Sequence, residues 1–263
     1  MTPFRLAKWY CDVLSDDGTL LILTLGELRL ASMRRARLAM ELHRADGNVT
    51  RDAASLGGFR ETDAGCTFDG GGVGPAGLAW RAAASSGAVR LMPRFPAATP
   101  RDPLLQIERG ALRWRVEVPD ADADVELASA GGRVRLAGRA YCDRVQLDAL
   151  PWRVGFQRLT WGHAVFAVGA TWWLELVTRQ GTIATTWRDG AFAEGCAPPL
   201  LRPARALVDR RVAQSPVLRV PPLGSVARWL AGDPYQQRWL ARAGADQTGW
   251  AVHESVRWRQ ARA

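Results

Sequence analysis

The ionisable residues most able to do chemistry are those that share a strand face with large apolar side chains. In the segment 250–258, Trp250, Val252, Glu254, Val256 and Trp258 fall on one face by period-two alternation, and Ala251, His253, Ser255 and Arg257 on the other. Glu254 therefore points where the tryptophans point. A carboxyl buried among them resists ionising, so its pKa rises and it can donate a proton; the competing reading is an ion pair with an interior arginine. His163 shares a face with Leu159, Trp161, Val165 and Ala167, where an imidazole either relays a proton or is a satisfied core side chain. Glu27 ends the face Leu21, Leu23, Leu25 and is either an acid on a cavity rim or a solvated one. Twelve tryptophans stand against three tyrosines. Indole faces stabilise a cation when they line a cavity and otherwise fill a barrel interior. Trp9, Trp161 and Trp250 are the candidate walls.

Other familiar chemistry finds no support. His43, His163 and His253 are far apart and none sits in a metal-binding spacing such as HExxH. No GxSxG elbow and no Walker A sequence occurs. Gly72–Val73–Gly74–Pro75–Ala76–Gly77 matches GxGxxG literally. A dinucleotide site needs a buried strand before that motif and a helix after it, whereas the preceding residues 61–69 are polar and turn-like. A glycine-rich turn between strands is the better expectation. Cys11, Cys66, Cys142 and Cys196 form no CxxC pair and no zinc spacing, so buried thiols in a reducing compartment are expected.

Strands must position these residues. Ala111–Pro119 alternates cleanly, Leu20–Glu27 is a more uniformly apolar strand, and Trp172–Val177 with Thr182–Trp187 reads as a hairpin. Met33–His43 is ambiguous between strand and helix, and Met92–Pro103, with four prolines, reads as a loop. Two short helices are expected near the C-terminus: one capped by Ser225, running through Val226, Trp229 and Leu230, and one capped by Asp233, with Pro234 at its first position and Gly244 past its end. Many short strands with regular turns predict an all-β barrel or half-barrel class. Tyr10–Cys11–Asp12 recurs as Tyr141–Cys142–Asp143. One copy near the start of each half predicts a duplicated barrel, divided as 1–131 and 132–263.

The net charge of +9 is carried almost wholly by arginine, Lys8 being the only lysine. The arginines are spread along the chain without a block, which argues against a nucleic-acid footprint and leaves peripheral membrane contact open. The N-terminal segment carries Arg5 and Lys8 without an apolar core, and no run of 18 apolar residues occurs. A cytoplasmic protein is expected.

Three stretches carry a family resemblance. They are Lys8–Trp9–Tyr10–Cys11–Asp12–Val13 followed by Ser15–Asp16–Asp17–Gly18; Leu112–Arg113–Trp114–Arg115–Val116–Glu117–Val118–Pro119; and Gly138–Arg139–Ala140–Tyr141–Cys142–Asp143 with Trp161–Gly162–His163. In these the chain resembles the lipocalin-like proteins related to carotenoid 1,2-hydratase (hydroxyneurosporene synthase) and, more distantly, cyclases of the tocopherol type. The family's core segment usually continues through His and Asn to a Trp-Gly pair. Here Asp143 is kept, and Arg144, Val145, Gln146 and Leu147 follow it. The resemblance implies two lipocalin-like domains, an apolar small-molecule substrate and no cofactor. It also implies protonation of an isolated C=C bond in a polyene or isoprenoid, the cation being quenched by water or by an internal nucleophile. On that reading Asp143 is the proton donor, Tyr141 its hydrogen-bonding partner, Trp161 a cation-facing wall and Glu254 the second candidate acid. The alternatives are a pericyclase that shapes a polyene or polyketide without acid chemistry, and a non-catalytic lipid or pigment carrier. Without a bulge, Tyr141 and Asp143 share a face with Arg133, Arg135 and Arg139 rather than with apolar residues; a bulge at Gly138 would reverse this.

Overall fold

The computed structural model describes residues 4–62, 64–82, 84–129, 131–193, 197–211 and 234–258. The first strands are β1 (Phe4–Leu14), β2 (Leu20–Leu30), β3 (Met33–His43), β4 (Val49–Leu56), β5 (Arg60–Thr62) and β6 (Gly65–Phe68). They are followed by β7 (Gly71–Gly74), β8 (Gly77–Arg81), β9 (Ser85–Pro93), β10 (Leu105–Ile107), β11 (Gly110–Ser129) and β12 (Gly132–Leu147). A one-turn helix, α1 (Pro151–Val154), leads into β13 (Phe156–Val165), β14 (Ala170–Thr178), β15 (Gly181–Arg188), β16 (Ala191–Ala193), β17 (Leu201–Arg211), β18 (Tyr235–Ala243) and β19 (Gly249–Arg257). The protein is all-β.

Two sheets result. The first has the order β4-β3-β2-β1-β12-β11-β9-β8-β7-β6-β5, with β10 beside β11, and the second the order β16-β15-β14-β13-β19-β18-β17. The described chain divides into one unit up to Gln106 together with Ala111–Asp148, and another of Ile107–Gly110 with the residues from Ala149 onward. The expected division near 131 is instead a hairpin turn, with Ser129 paired to Gly132. β12 cannot leave the first unit, because it is hydrogen-bonded to β1 on one side and β11 on the other.

Alternation curls the first sheet into a half-barrel. Trp9, Cys11 and Val13 of β1, Leu21, Leu23 and Leu25 of β2, and Leu38, Met40 and Leu42 of β3 meet Val125, Leu127, Ala140 and Cys142 in one buried cluster. Met33–His43 is thereby settled as a strand. Ser85 Oγ, at the start of β9, donates to Asp52 Oδ2 of β4 at 2.7 Å, tying distant strands of the curl together. The GxGxxG stretch is the β7–β8 hairpin, with Gly74 opposite Gly77. Gly77 has φ +146, and a Cβ there would lie 2.1 Å from the carbonyl oxygen of Val89, so this glycine serves close strand approach.

The second sheet is buried on both faces. Ala164, Trp173, Ala241 and Ala251 cluster on one, while Trp161, His163, Leu174 and Val252 are buried on the other. The Asp233–Gly244 stretch, expected as a helix, contributes β18 instead. Its backbone groups are satisfied by β17 and β19 together, a tertiary pairing that outweighs the local cap signals. The expected helix at Ser225–Leu230 lies outside the described residues.

Candidate active site

The repeated tripeptide supplies the first group of candidate residues. In the β1–β12 ladder, Tyr10 lies opposite Asp143, Cys11 opposite Cys142, and Asp12 opposite Tyr141. The two copies thus pair with each other inside one sheet, rather than opening two separate halves. Tyr10 donates to Asp12 Oδ2 at 2.7 Å and Tyr141 to Asp143 Oδ2 at 3.0 Å. The two phenol rings are 6.4 Å apart. All four side chains are buried, none more than 2% exposed. Burial pushes the Tyr141 phenol well above its ordinary pKa, reinforced by the charge of Asp143 and by its hydrogen bond; a hydrogen bond with Trp114 works the other way. Tyr141 is therefore a phenol that keeps its proton.

No register shift occurs at Gly138, which faces Ala123 in an unbroken run. The shifts lie in β11, between Val116 and Val118 and between Val118 and Ala121. Tyr141 and Asp143 consequently point away from the half-barrel core that holds Ala140 and Cys142. They share their face with Arg139, whose Nε donates to Asp120 Oδ1 at 2.7 Å and whose Nη2 engages Oδ2 of the same fully buried carboxylate.

Cys11 and Cys142 are joined as a disulfide. This corrects the expectation of reduced, separate thiols. The two cysteines are 131 positions apart in sequence, and only the strand register brings them together. Cys66 is free and buried. Cys196 lies outside the described residues.

Trp9 and Glu27 belong to the core face of the first sheet. A cavity of about 30 Å³ is lined by Trp9, Leu23, Leu25, Leu38, Phe68 and Trp80 among others. That is room for about two or three waters, so the curl is largely filled by its own side chains. Trp9 Nε1 is buried there without a hydrogen-bond acceptor. Glu27 is 1% exposed rather than solvated. Arg34 Nε bonds its Oε1, and Arg29 Nε lies 3.0 Å from its Oε2.

The remaining candidates are on the second sheet. Glu254 lies opposite Trp161 and opposite Arg238. Arg238 approaches Glu254 Oε2 through Nε at 2.6 Å and Nη2 at 2.5 Å, so the arginine-paired reading of Glu254 holds. The Trp161 and His163 rings are 6.4 Å apart. Trp250 carries the Arg242 guanidinium over its ring at 3.5 Å. Sequence reasoning passed over Tyr10 and Asp12, although the echo itself pointed to them. It also passed over His253, whose ring stacks between Trp173 at 6.0 Å and Trp239 at 5.6 Å. Period two had placed His253 on the less aromatic face; the residues facing it come from β14 and β18. Among the described residues no group of three or more His, Cys, Asp or Glu side chains is arranged to hold a metal.

No family model matches the sequence. No curated protein is similar to it in sequence either. Similarity appears at the level of structure. CghA in complex with Sch210972 superimposes with a TM-score of 0.64 at 13% identity, over 99% of this chain and 90% of that one. An AttH-type protein (NE1406) from Nitrosomonas europaea gives 0.58 at 13% identity, over 96% and 92%. Kievitone hydratase from Nectria haematococca gives 0.58 at 9% identity, over 97% and 89%. The fold shared with these proteins is the lipocalin-like all-β fold expected from the sequence.

Proposed function

We propose that the chain is a cofactor-independent enzyme of hydratase or cyclase type, which protonates a C=C bond of an apolar polyene or isoprenoid-type substrate. The observation that carries the reading is the buried Tyr141–Asp143 pair, mirrored by Tyr10–Asp12. Asp143 gives its proton to one alkene carbon, a C–H bond forms, and the adjacent carbon becomes a cation. In hydration, water adds to that cation and its surplus proton returns to Asp143. In cyclisation, an internal nucleophile or a second double bond takes the place of water, and the proton then lost from that nucleophile or from the new cation returns to Asp143. Tyr141, kept protonated, donates to Asp143 throughout and stabilises the carboxylate that forms. Glu254, paired with Arg238, is given a structural role.

The structural neighbours support the class rather than the substrate: one is a hydratase by name, and another was solved with a bound small molecule. A carrier that encloses a lipid within the first half-barrel is disfavoured, since its interior offers about 30 Å³. No helix among the described residues is long and apolar enough to cross a membrane.

The test begins with native mass spectrometry and solvent extraction of the purified protein, to obtain a ligand class. Turnover of that ligand is then compared in wild type and Asp143→Asn. A positioned proton donor is worth about two to four orders of magnitude, and the variant should lose that much. Full turnover in the variant would sink the acid mechanism and leave the pericyclase reading, in which shape alone guides cyclisation.

A further inference from the structure

We infer that the open end of the first half-barrel is a binding site for a small amphiphilic anion, one with a phosphate or carboxylate head and a short hydrocarbon tail. The inference does not rest on the proposed reaction. Arg144 and Gln146 extend the core-facing side of β12, opposite Trp9 and Ala7, whereas Asp143 points the other way.

Three arginines form a row across adjacent strands. Arg5 of β1 lies directly opposite Arg29 of β2, which lies directly opposite Arg34 of β3. All three have core-facing parity. Like charges directly opposite on neighbouring strands repel and destabilise the sheet, so such a row calls for anions. Two are built in. Glu27 takes Arg29 and Arg34; Glu61 takes Arg5 and Gln146, with Arg144 at 3.6 Å. Arg5 also lies 3.8 Å from Asp148, and Arg144 3.3 Å from Glu117. Those last two carboxylates are shared with Arg113 and Arg115.

Positive charge remains in excess. A pocket of about 650 Å³ is walled by Arg5, Arg29, Arg34, Arg60 and Arg144, with Glu61 as the acidic residue on its wall. Arg5 Nε and Arg29 Nε are buried without a well-directed hydrogen bond, their nearest acceptors being Asp148 Oδ1 at 3.8 Å and Glu27 Oε2 at 3.0 Å. Guanidinium groups present paired N–H donors that match carboxylate and phosphate oxygens. The pocket shares Arg34, Phe59 and Arg60 with a neighbouring groove of about 340 Å³ that adds Ala36, Leu56 and Gly58. An anionic head seated among the arginines would lay its tail along Phe59, Ala36 and Leu56. The half-barrel core is too full to admit it.

Isothermal titration with monomeric dodecyl phosphate tests the site, with inorganic pyrophosphate as the tail-free probe and phosphatidylglycerol vesicles as the membrane probe. Wild type is expected to bind dodecyl phosphate saturably at one site, and pyrophosphate more weakly. Arg60→Glu, at an exposed wall position, should weaken dodecyl phosphate at least tenfold. Arg135→Glu makes the same charge change at a side chain 86% exposed elsewhere on the sheet, and should leave binding within about twofold. Circular dichroism confirms that both variants fold. Equal losses in the two variants would reduce the effect to general surface charge and overturn the proposal. So would binding to vesicles without binding to the monomeric amphiphile, or no saturable binding at all.

Discussion

Removing either half of the Arg238–Glu254 pair should damage the protein, and removing both should not. Two guanidinium nitrogens reach one carboxylate oxygen at 2.6 and 2.5 Å, and the side chains are 5% and 4% exposed. An ion pair this dry owes its stability to mutual attraction; removing one partner strips the other of its nearest opposite charge. Breaking such a pair costs roughly 3–5 kcal/mol, while replacing both partners by apolar residues is often neutral or stabilising by about 1–4 kcal/mol. Glu254 shares a cross-strand row with Trp161 and, beyond it, Leu174, so Met and Leu in place of the charges would meet apolar neighbours. The expected result is a loss of about 3–5 kcal/mol in each of Glu254→Gln and Arg238→Met, and near-wild-type stability in Arg238→Met/Glu254→Leu. Urea unfolding followed by tryptophan fluorescence measures this, with the slope held constant as evidence that the same surface is exposed. Single variants within about 0.5 kcal/mol of wild type, the range of ordinary surface changes, would refute the reasoning. A double variant as unstable as the sum of the singles would do the same. A stable double variant that had lost turnover would move the reacting acid from Asp143 to Glu254.

Two further predictions concern titrating groups. Burial pushes the His253 imidazole below its ordinary pKa, with Glu254 pulling weakly the other way. The unfolded chain takes up a proton near pH ~6.5 and the folded protein only at lower pH, so stability falls as pH drops below that point. Folding should be weaker at pH 5.5 than at pH 7.5, and His253→Gln should flatten the difference; an unchanged slope would remove His253 from the account. Cys66 is pushed up to about 12, chiefly by burial, so at pH 8 iodoacetamide should label it only after denaturation. Peptide mapping of the same sample without reductant should recover Cys11 joined to Cys142, and rapid native labelling of Cys66 would contradict the burial argument.

Where a segment's pattern is local, the sequence is a sufficient guide. Leu112–Val118 alternates and is a strand; Trp172–Trp187 turns at Arg179–Gln180 and is a hairpin, closed by Thr178 opposite Gly181. Where the deciding partner is remote, local signals mislead. Asp233, Pro234 and Gly244 carry the punctuation of a helix, yet Leu240 and Ala241 between them are buried on opposite faces of a strand held on both sides. Glu27 looked solvated because it ends an apolar run, and its arginines arrive from the β2–β3 hairpin beside it. The disulfide was hidden for the same reason, since nothing near Cys11 in sequence indicates Cys142.

The echo of Tyr-Cys-Asp shows how a correct observation acquires a different meaning from register. Two copies paired antiparallel are symmetric about their middle residue, so Cys11 meets Cys142 and each tyrosine meets the other copy's aspartate. By sequence Asp12 and Asp143 are then equivalent acids. Their other neighbours make them different. Asp12 is flanked on β2 by Ile22, inside a ladder without register shifts. Asp143 is flanked on β11 by Val116, the residue at which the first of two shifts begins. Bulges bend a strand and re-aim its side chains, and they gather beside active sites. The two copies are therefore made unlike by β11, next to Asp143 and not next to Asp12, and this is the structural argument behind proposing the second copy rather than the first as the proton donor.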